Sequence, residues 1–471
     1  MSDEPWLGDA CSLVDAFRAG DLSPVEALDA TLGAVERSQL NAFCHLDPER
    51  SRAWAEAADI SLPFGGVPIG VKEIDGGVEG WPDTHGSLVF AGDVSQRTST
   101  QVARLLAAGA VPAGLTNASE FGGINCTHTK LHGTTRNPWN PARTPGGSTG
   151  GGAAAVAGGL VTLSTGGDGG GSIRIPAGFC GLVGLKHTFG RIPRGPFAEI
   201  GALTVTIGCV SRSVRDTARW LDVCNGHDAH DPLSLPRVDE WEAGLGTHEL
   251  AGKRVTIAPT LGAAFVHPEV ERTVREAAEA LARDAGLRIV DVDVRLPELS
   301  FEWALAGMVG LRHLLGDRYP ACEPELTPEI QFGLNLASSM FTLEGAARVE
   351  GQRQRFNETM AGLFEQVDFV MASTNPDVAF TAEGPLPTTI GDIDLTRELG
   401  FEKALGNHGA LTIPSNIHGN PAVSIPAGAV GGLPVGLQVL GRHHQEALLL
   451  DLALTAERER PWPLVTPDAP H

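Results

Sequence analysis

Short apolar runs and helix-period stretches alternate along most of this chain. Ser23-Pro24-Val25-Glu26 has the serine, proline and glutamate of a helix N-terminal capping box, and apolar Ala27, Leu28, Leu32 and Val35 follow at helical spacing. Val67–Val71 is uninterrupted enough for a buried strand. Val102–Leu106 predicts a helix ending near Gly109, and Val111–Leu115 the next strand. The small residues Ala153–Ala157 predict a helix, and Leu160–Ser164 a strand. Further on, a strand at Arg254–Ala258, a helix from Glu269 to Arg283 and a strand at Leu287–Val290 repeat the alternation. Strands at Ala422–Ile425 and Gly436–Leu440 and a helix over Glu446–Arg458 close the chain. Residues 300–400 read as less regular, with bulky Trp303, Met308, Tyr319, Phe332, Met340 and Phe341. Alternating strands and helices imply an α/β protein with a largely buried sheet. With no repeat or low-complexity linker, residues 1–471 read as a single domain carrying a variable region at about 295–395.

Two glycine-dense turns interrupt this pattern, and each carries a serine. Ser148 lies in Thr144-Pro145-Gly146-Gly147-Ser148-Thr149-Gly150-Gly151-Gly152, and Ser172 in Gly166-Gly167-Asp168-Gly169-Gly170-Gly171-Ser172-Ile173-Arg174. The apolar run Gly66–Val71 delivers Lys72. A serine hydroxyl is a weak nucleophile until a base takes its proton. A lysine among apolar groups can be that base, because burial disfavours the ammonium form. A second serine between them can relay the proton. Successive glycines leave backbone N–H groups uncovered, as stabilising an oxyanion requires. Neither turn has the lysine of a phosphate-binding P-loop, and the Gly167–Ser172 loop does not meet the dinucleotide fingerprint. Taken singly, either turn reads first as a structural glycine turn with an incidental serine.

Composition narrows the classes. Of 35 basic residues only five are lysines (Lys72, Lys130, Lys186, Lys253, Lys403), so an amine inside an apolar run suggests a group that must lose a proton, which guanidinium does not do. The net charge of −22 argues against nucleic-acid partners. Seven scattered cysteines, never spaced C-x-x-C, fit reduced thiols and no structural zinc site, and Cys126, Cys180 and Cys209 among small or apolar neighbours suggest inert buried ones. His227-Asp228-Ala229-His230-Asp231 and His443-His444 read as solvated loops rather than metal sites. Met1–Pro5 lacks the apolar core of a secretory signal, and no apolar run is long enough to span a bilayer. The expectation is a cytoplasmic protein without membrane association, metal or other cofactor.

The motifs together resemble the amidase signature family. Gly146-Gly147-Ser148-Thr149-Gly150-Gly151 resembles its G-G-S-S-G-G, Asp168–Ala177 its D-T-G-G-S-I-R-x-P-A, and Gly66–Lys72 the segment bearing its catalytic lysine. Thr116-Asn117 with Glu120-Phe121, Arg136–Trp139, Cys180–Lys186, Gly419–Pro426 and Gly432–Gln438 fit as well. The resemblance spans nearly the whole chain and fades between about 295 and 395. It implies a large mixed, mostly parallel twisted central sheet covered by helices on both faces. It implies Ser172 as acyl-forming nucleophile, Ser148 as bridging serine after a cis peptide bond, and Lys72 as general base. The amides of Gly169, Gly170, Gly171 and Ser172 would form the oxyanion hole, with Thr149, Asp168 and Arg174 supporting the loop. Two positions depart from the family pattern: Thr149 for its second serine, and Gly169 for the threonine after the aspartate.

The activity this implies is hydrolysis of a carboxamide C–N bond in a linear amide, through a Ser172 acyl-enzyme, with a small-molecule amide as substrate and a homodimer as a possible assembly. The first alternative is the amidase subunit of a glutamyl/aspartyl-tRNA amidotransferase. Against it, Ile175 stands where that subunit has glutamine, and Phe189–Pro196 replaces its Y-G-R-V-S-R-Y-G stretch. A non-catalytic ligand-binding relative is the second alternative, disfavoured by the intact Lys72, Ser148 and Ser172. The bulky residues of 300–345 serve first as core and second as candidates for the substrate pocket.

Overall fold

The computed structural model describes residues 5–196, 198, 204–340 and 342–470, so Met1–Glu4 and Phe341 lie outside the described residues. Its frame is an eleven-stranded sheet built from β1 (Phe43–Leu46), β2 (Pro68–Lys72), β3 (Val111–Thr116), β4 (Leu163–Asp168), β5 (Val183–Lys186), β6 (Thr206–Ser211), β7 (Arg254–Ile257), β8 (Arg288–Ile289), β9 (Phe369–Ser373), β10 (Ala422–Val430) and β11 (Leu433–Gly441). Across the sheet they run β1-β3-β2-β4-β6-β5-β10-β11-β9-β7-β8. The α/β class and the large mixed sheet are as expected. Parallel pairing is less extensive than expected: it joins β3, β2 and β4 at one end and β9, β7 and β8 at the other. The centre, from β4 through β6, β5, β10 and β11 to β9, is antiparallel. The strand–helix alternation of residues 67–164 describes only the first block. In the C-terminal part β10 turns directly into β11 through Gly431 and Gly432, both at positive φ, which forces an antiparallel hairpin.

β2, β3, β4, β6, β9 and β11 are buried at every position, because apolar layers cover both faces. On β6, Cys209 packs into one apolar cluster with Val71, Leu163 and Trp220, and its neighbour Val210 into a second with Ala153, Ile173 and Leu28, as side-chain alternation along a strand requires. The helix predicted from Ser23 spans Pro24–Arg37, and its capping box is complete: Glu26 N–H donates to Ser23 Oγ at 3.2 Å and Ser23 N–H to Glu26 Oε2 at 2.8 Å. The strand expected at Leu160–Ser164 lies further along, at Leu163–Asp168. Residues 300–366, expected to be irregular, hold three helices, Ser300–Leu315, Pro328–Met340 and Leu343–Gln366. The first two pack in a separate apolar cluster of Leu311, Leu315, Leu326, Ile330 and Leu334 with Phe90, whereas the third buries Phe356, Met360, Leu363 and Phe364 in the main core. Among the described residues no helix is long and apolar enough to cross a membrane.

Candidate active site

β2 and β4 are parallel neighbours, paired at Ile69–Leu163 and Gly70–Ser164, so their carboxyl ends open on the same side of the sheet. Lys72 is the last residue of β2, and the glycine loop with Ser172 follows β4 directly. Ser148 lies just before the helix Gly150–Ala157. That helix sits on the sheet at a distance only glycine permits: a Cβ on Gly151 would lie 2.4 Å from Asn117 N, and one on Gly152 2.6 Å from Ser164 Oγ. The glycines of the first turn therefore press the helix, and Ser148 ahead of it, against the strand ends.

This packing brings Lys72 and Ser148 into contact and sets the backbone of Ser172 beside them. Lys72 Nζ donates to Ser148 Oγ at 2.9 Å, both side chains being buried, and the Gly147–Ser148 peptide is cis. Thr149 N–H donates to Ser172 C=O at 3.2 Å, joining the Ser148 segment to the Ser172 loop. Thr149 itself is buried, its methyl packed under Gly166, and its hydroxyl lies 3.5 Å from Gly167 C=O. Burial pulls the Lys72 amine below its ordinary pKa, which favours the neutral form a base needs, while Asp75, Asp168 and Glu73 oppose the shift. Asp75, whose carboxylate lies 3.4 Å from Lys72 Nζ, carries no local mark as a site residue. It becomes one because the chain after β2 turns through positive φ at Asp75 and directs its carboxylate back at the amine and at Gly167.

The loop carrying Ser172 is held from beneath. Asp168 and Arg174 are both fully buried and pair through two contacts, Arg174 Nη2 to Asp168 Oδ1 at 2.8 Å and Nε to Oδ2 at 2.9 Å. Arg174 also donates to Thr412 C=O, Gln438 Oε1 and Asn416 Oδ1, and Asn416 Nδ2 donates to Asp168 Oδ1 at 3.0 Å. Burial by itself would raise the Asp168 carboxyl, but the Arg174 charge and the hydrogen bonds from Arg174 and Asn416 outweigh it and hold it well below the usual carboxylate range. Thr412 Oγ1 donates to Gly170 C=O at 2.6 Å. Thr412 and Asn416 come from a segment far along the chain whose role no local pattern announces. Gln438 could be noticed as a polar residue inside a wholly buried strand.

Gly171 has φ of +123°, and a Cβ there would lie 2.4 Å from Thr412 Oγ1, so only glycine fits. Its N–H donates to Asp168 Oδ1 at 2.8 Å. Of the four amides expected to face an oxyanion (Gly169, Gly170, Gly171 and Ser172), that of Gly171 is thus already spent on fixing the loop. Gly169, Gly170 and Ser172 are only partly buried.

Of the bulky residues expected in or near the pocket, Trp303 reaches the site: a Cβ on Gly170 would lie 2.7 Å from the edge of its ring. Trp303 also lines a small cleft with Leu299, Ala306, Val349 and Ile417, and with Glu302 and Arg353. Met308 packs on Gly333, Phe332 meets Phe401 edge-on at the surface, and Met340 is exposed, so these three do not join Lys72, Ser148 and Ser172. Ile330 instead closes over Gly123, and the neighbouring Gly122 faces Ser148 Oγ. Glu120 fixes this cap by accepting from Ser87 Oγ at 2.6 Å and from Thr327 N–H and Oγ1 at 2.8 and 2.6 Å.

The other polar clusters stand apart from these groups. His230 is exposed beside Asp228, which also accepts from Thr100 Oγ1, and His443 Nε2 donates to His418 C=O near the surface. Cys126, Cys180 and Cys209 are buried, and burial raises each thiol, Cys126 to about 12.

Residues 26–450 match the family model described as Amidase. A glutamyl-tRNA(Gln) amidotransferase subunit from Chloroflexus aurantiacus is 34% identical over 480 residues, covering 95% of each chain. Among solved structures, a bacterial aryl acylamidase of the amidase signature enzymes superposes with a TM-score of 0.87 at 25% identity over 98% of both chains. A 6-aminohexanoate cyclic dimer hydrolase complexed with substrate does so with a TM-score of 0.86 at 27% identity, over 99% of this chain and 100% of that one.

Proposed function

The chain belongs to the amidase signature family, and we propose that within it this protein hydrolyses a carboxamide of a small molecule, releasing ammonia or an amine. The observation that carries this reading is the 2.9 Å hydrogen bond between the buried Lys72 amine and Ser148 Oγ, set beside the loop that presents Ser172.

Ser172 Oγ attacks the amide carbonyl carbon. Its proton passes to Ser148 as the Ser148 proton passes to Lys72 Nζ. The oxyanion that forms takes hydrogen bonds from the amides of Gly169, Gly170 and Ser172, a donor of this kind being worth about 3 kcal/mol of barrier. The protons return along the same relay to the leaving nitrogen, the C–N bond breaks, and an ester links Ser172 to the acyl group. Water, deprotonated through the same groups, cleaves that ester and restores the serine. Ser172→Ala tests the reading: turnover of any amide that the wild type cleaves, and labelling by a serine-directed fluorophosphonate, should both vanish while the melting temperature stays within about 1 °C, since the hydroxyl lies at a partly open surface. Retained turnover would refute the mechanism.

A second reading is favoured by one finding, the 34% identity over 95% of both chains with a glutamyl-tRNA(Gln) amidotransferase component. In it the same Ser172 chemistry would act on glutamine and pass ammonia to a partner protein. Glutamine-dependent ammonia release that rises when such partners are co-expressed would establish it. Amide hydrolysis by the isolated chain, indifferent to those partners, would establish the first.

A further inference from the structure

Apart from the catalytic groups, a second constellation of reactive side chains gathers at the β1 edge of the same strand block. Cys44 lies in β1, Glu73 follows Lys72 at the end of β2, and His132 occupies the turn between the short paired strands His128–Thr129 and Gly133–Thr134. The Cys44 thiol, a Glu73 carboxylate oxygen and a His132 ring nitrogen all lie within 4.8 Å of one another. His132 Nε2 is 3.0 Å from Glu73 Oε2.

Thiolate, imidazole and carboxylate are the three kinds of side-chain donor that zinc takes in proteins. Tetrahedral zinc bonds of about 2.0–2.3 Å would place such donors roughly 3.3–3.8 Å apart, so the existing spacing needs only small side-chain movement. The carboxylate is already oriented by outer contacts, as metal-binding carboxylates are. Glu73 Oε1 accepts from Ala118 N–H at 2.8 Å, and Oε2 accepts from Thr84 Oγ1 at 2.7 Å. The thiol lies 3.5 Å from Leu115 C=O and also hydrogen-bonds to the Glu73 carboxylate, which turns it toward the other two donors. A hydrogen-bonded pair of His132 and Glu73 would not by itself require a cysteine at the third corner. His132 also opens the cluster to the outside, its side chain being 17% exposed while that of Glu73 is 1% exposed.

We propose that Cys44, Glu73 and His132 form a binding site for a thiophilic divalent cation, Zn²⁺ foremost, with water in the fourth position. On binding, the Cys44 thiol gives up its proton to the buffer, the His132 ring proton sits on the nitrogen that does not ligate, and the metal takes lone pairs from the thiolate, the Glu73 carboxylate and the other ring nitrogen. The ion would tie the edge strand β1 to the end of β2, immediately beside Lys72.

The test uses the full-length protein, stripped with a chelator and dialysed. Titration calorimetry with Zn²⁺ should give one equivalent per chain with proton release. Co²⁺ should give the intense near-ultraviolet band of a cobalt–thiolate bond. Cys44→Ser should abolish that band and weaken Zn²⁺ by more than the roughly 100-fold that loss of an outer-shell partner can cost. His132→Ala should weaken Zn²⁺ comparably, and its partly exposed side chain makes it the safer variant should Cys44→Ser fail to fold. His230→Ala, removing an exposed imidazole elsewhere, should leave both signals intact. Absence of a stoichiometric Zn²⁺ site overturns the proposal, as does a site insensitive to His132→Ala or a cobalt spectrum without the thiolate band.

Discussion

Asp168→Asn puts the support of the Ser172 loop to a quantitative test. The substitution keeps shape and removes one charge from a pair in which both partners are wholly buried. Breaking such a pair from one side typically costs about 3–5 kcal/mol, because the remaining charge is left in a medium that solvates it poorly. Arg174 would keep Thr412 C=O, Gln438 Oε1 and Asn416 Oδ1 as acceptors, which places the expected loss near the lower end, about 3 kcal/mol. For 471 residues at about 2 cal/mol/K each, the unfolding entropy is about 1 kcal/mol/K, so the melting temperature should fall by roughly 3 °C. Activity should fall far more than stability. The same carboxylate fixes the Gly171 amide at 2.8 Å, and the loop conformation it sets determines where the neighbouring amides converge. Differential scanning fluorimetry and amide turnover measured on one preparation check both halves. In Arg174→Met/Asp168→Asn the thermal losses should be less than additive, since the double variant leaves no buried charge behind. A melting temperature unchanged within 1 °C together with full activity would refute the argument that this pair supports the site.

Lys72→Arg should lower kcat/KM by about two to four orders of magnitude, because guanidinium does not surrender a proton at any working pH. In the wild type kcat/KM should rise with pH and level off once the Lys72 amine, its pKa depressed by burial, is neutral; a pH-independent rate would count against a lysine base. Gly170→Ala drives a methyl to 2.7 Å from the Trp303 ring, an overpacking worth about 1–3 kcal/mol, and Trp303→Ala should recover most of the lost activity in the double variant. Additive effects would show that Trp303 does not press on this loop. Far from the site, burial and the nearby Asp9 charge push the Asp216 carboxyl up to about 7, and burial does the same to Glu457. A carboxyl raised in the folded state contributes stability below its ordinary value that is lost as pH rises through the folded value, so the melting temperature should decline from about pH 4 to pH 7, less steeply in Asp216→Asn. An equal slope in that variant would assign the decline to other groups.

How much of the molecule is legible in its sequence depends on whether the determining contacts are local. Lys72, Ser148 and Ser172 can be picked out because each ends a strand or a glycine turn of distinctive composition, and Lys72 Nζ meets Ser148 Oγ in the fold. The capping box at Ser23 is equally local. β4 starts later than its apolar run suggests because Gly166 and Gly167 hide a strand that its neighbours, not its own residues, stabilise. The helices of residues 300–366 escape notice because their apolar residues do not keep to one stripe: Val309, Leu314, Phe332 and Leu343 face outward while Leu311 and Leu334 are buried. Asn416, Thr412 and Asp75 act at the site only through contacts made by the folded chain. Cys44, Glu73 and His132 come from three separated segments, so nothing in their spacing marks them as neighbours.

This division between local and distant contacts also explains why the chemistry of the site is easier to infer than its substrate. The groups that would break the C–N bond stand on the sheet side, where Asp168, Arg174, Asn416 and Gln438 interlock and tolerate little change. The surface that a substrate would meet is built from the other side. Trp303 arrives on one helix and Ile330 on another, and this helical cap is fixed near the site through Glu120 holding Thr327. A helix can slide or exchange its apolar residues at modest cost as long as total volume is kept, whereas a buried ion pair or an amide-presenting glycine cannot be altered without direct loss. Selection for a new amide would therefore act on Trp303 and its neighbours and leave the loop around Ser172 untouched.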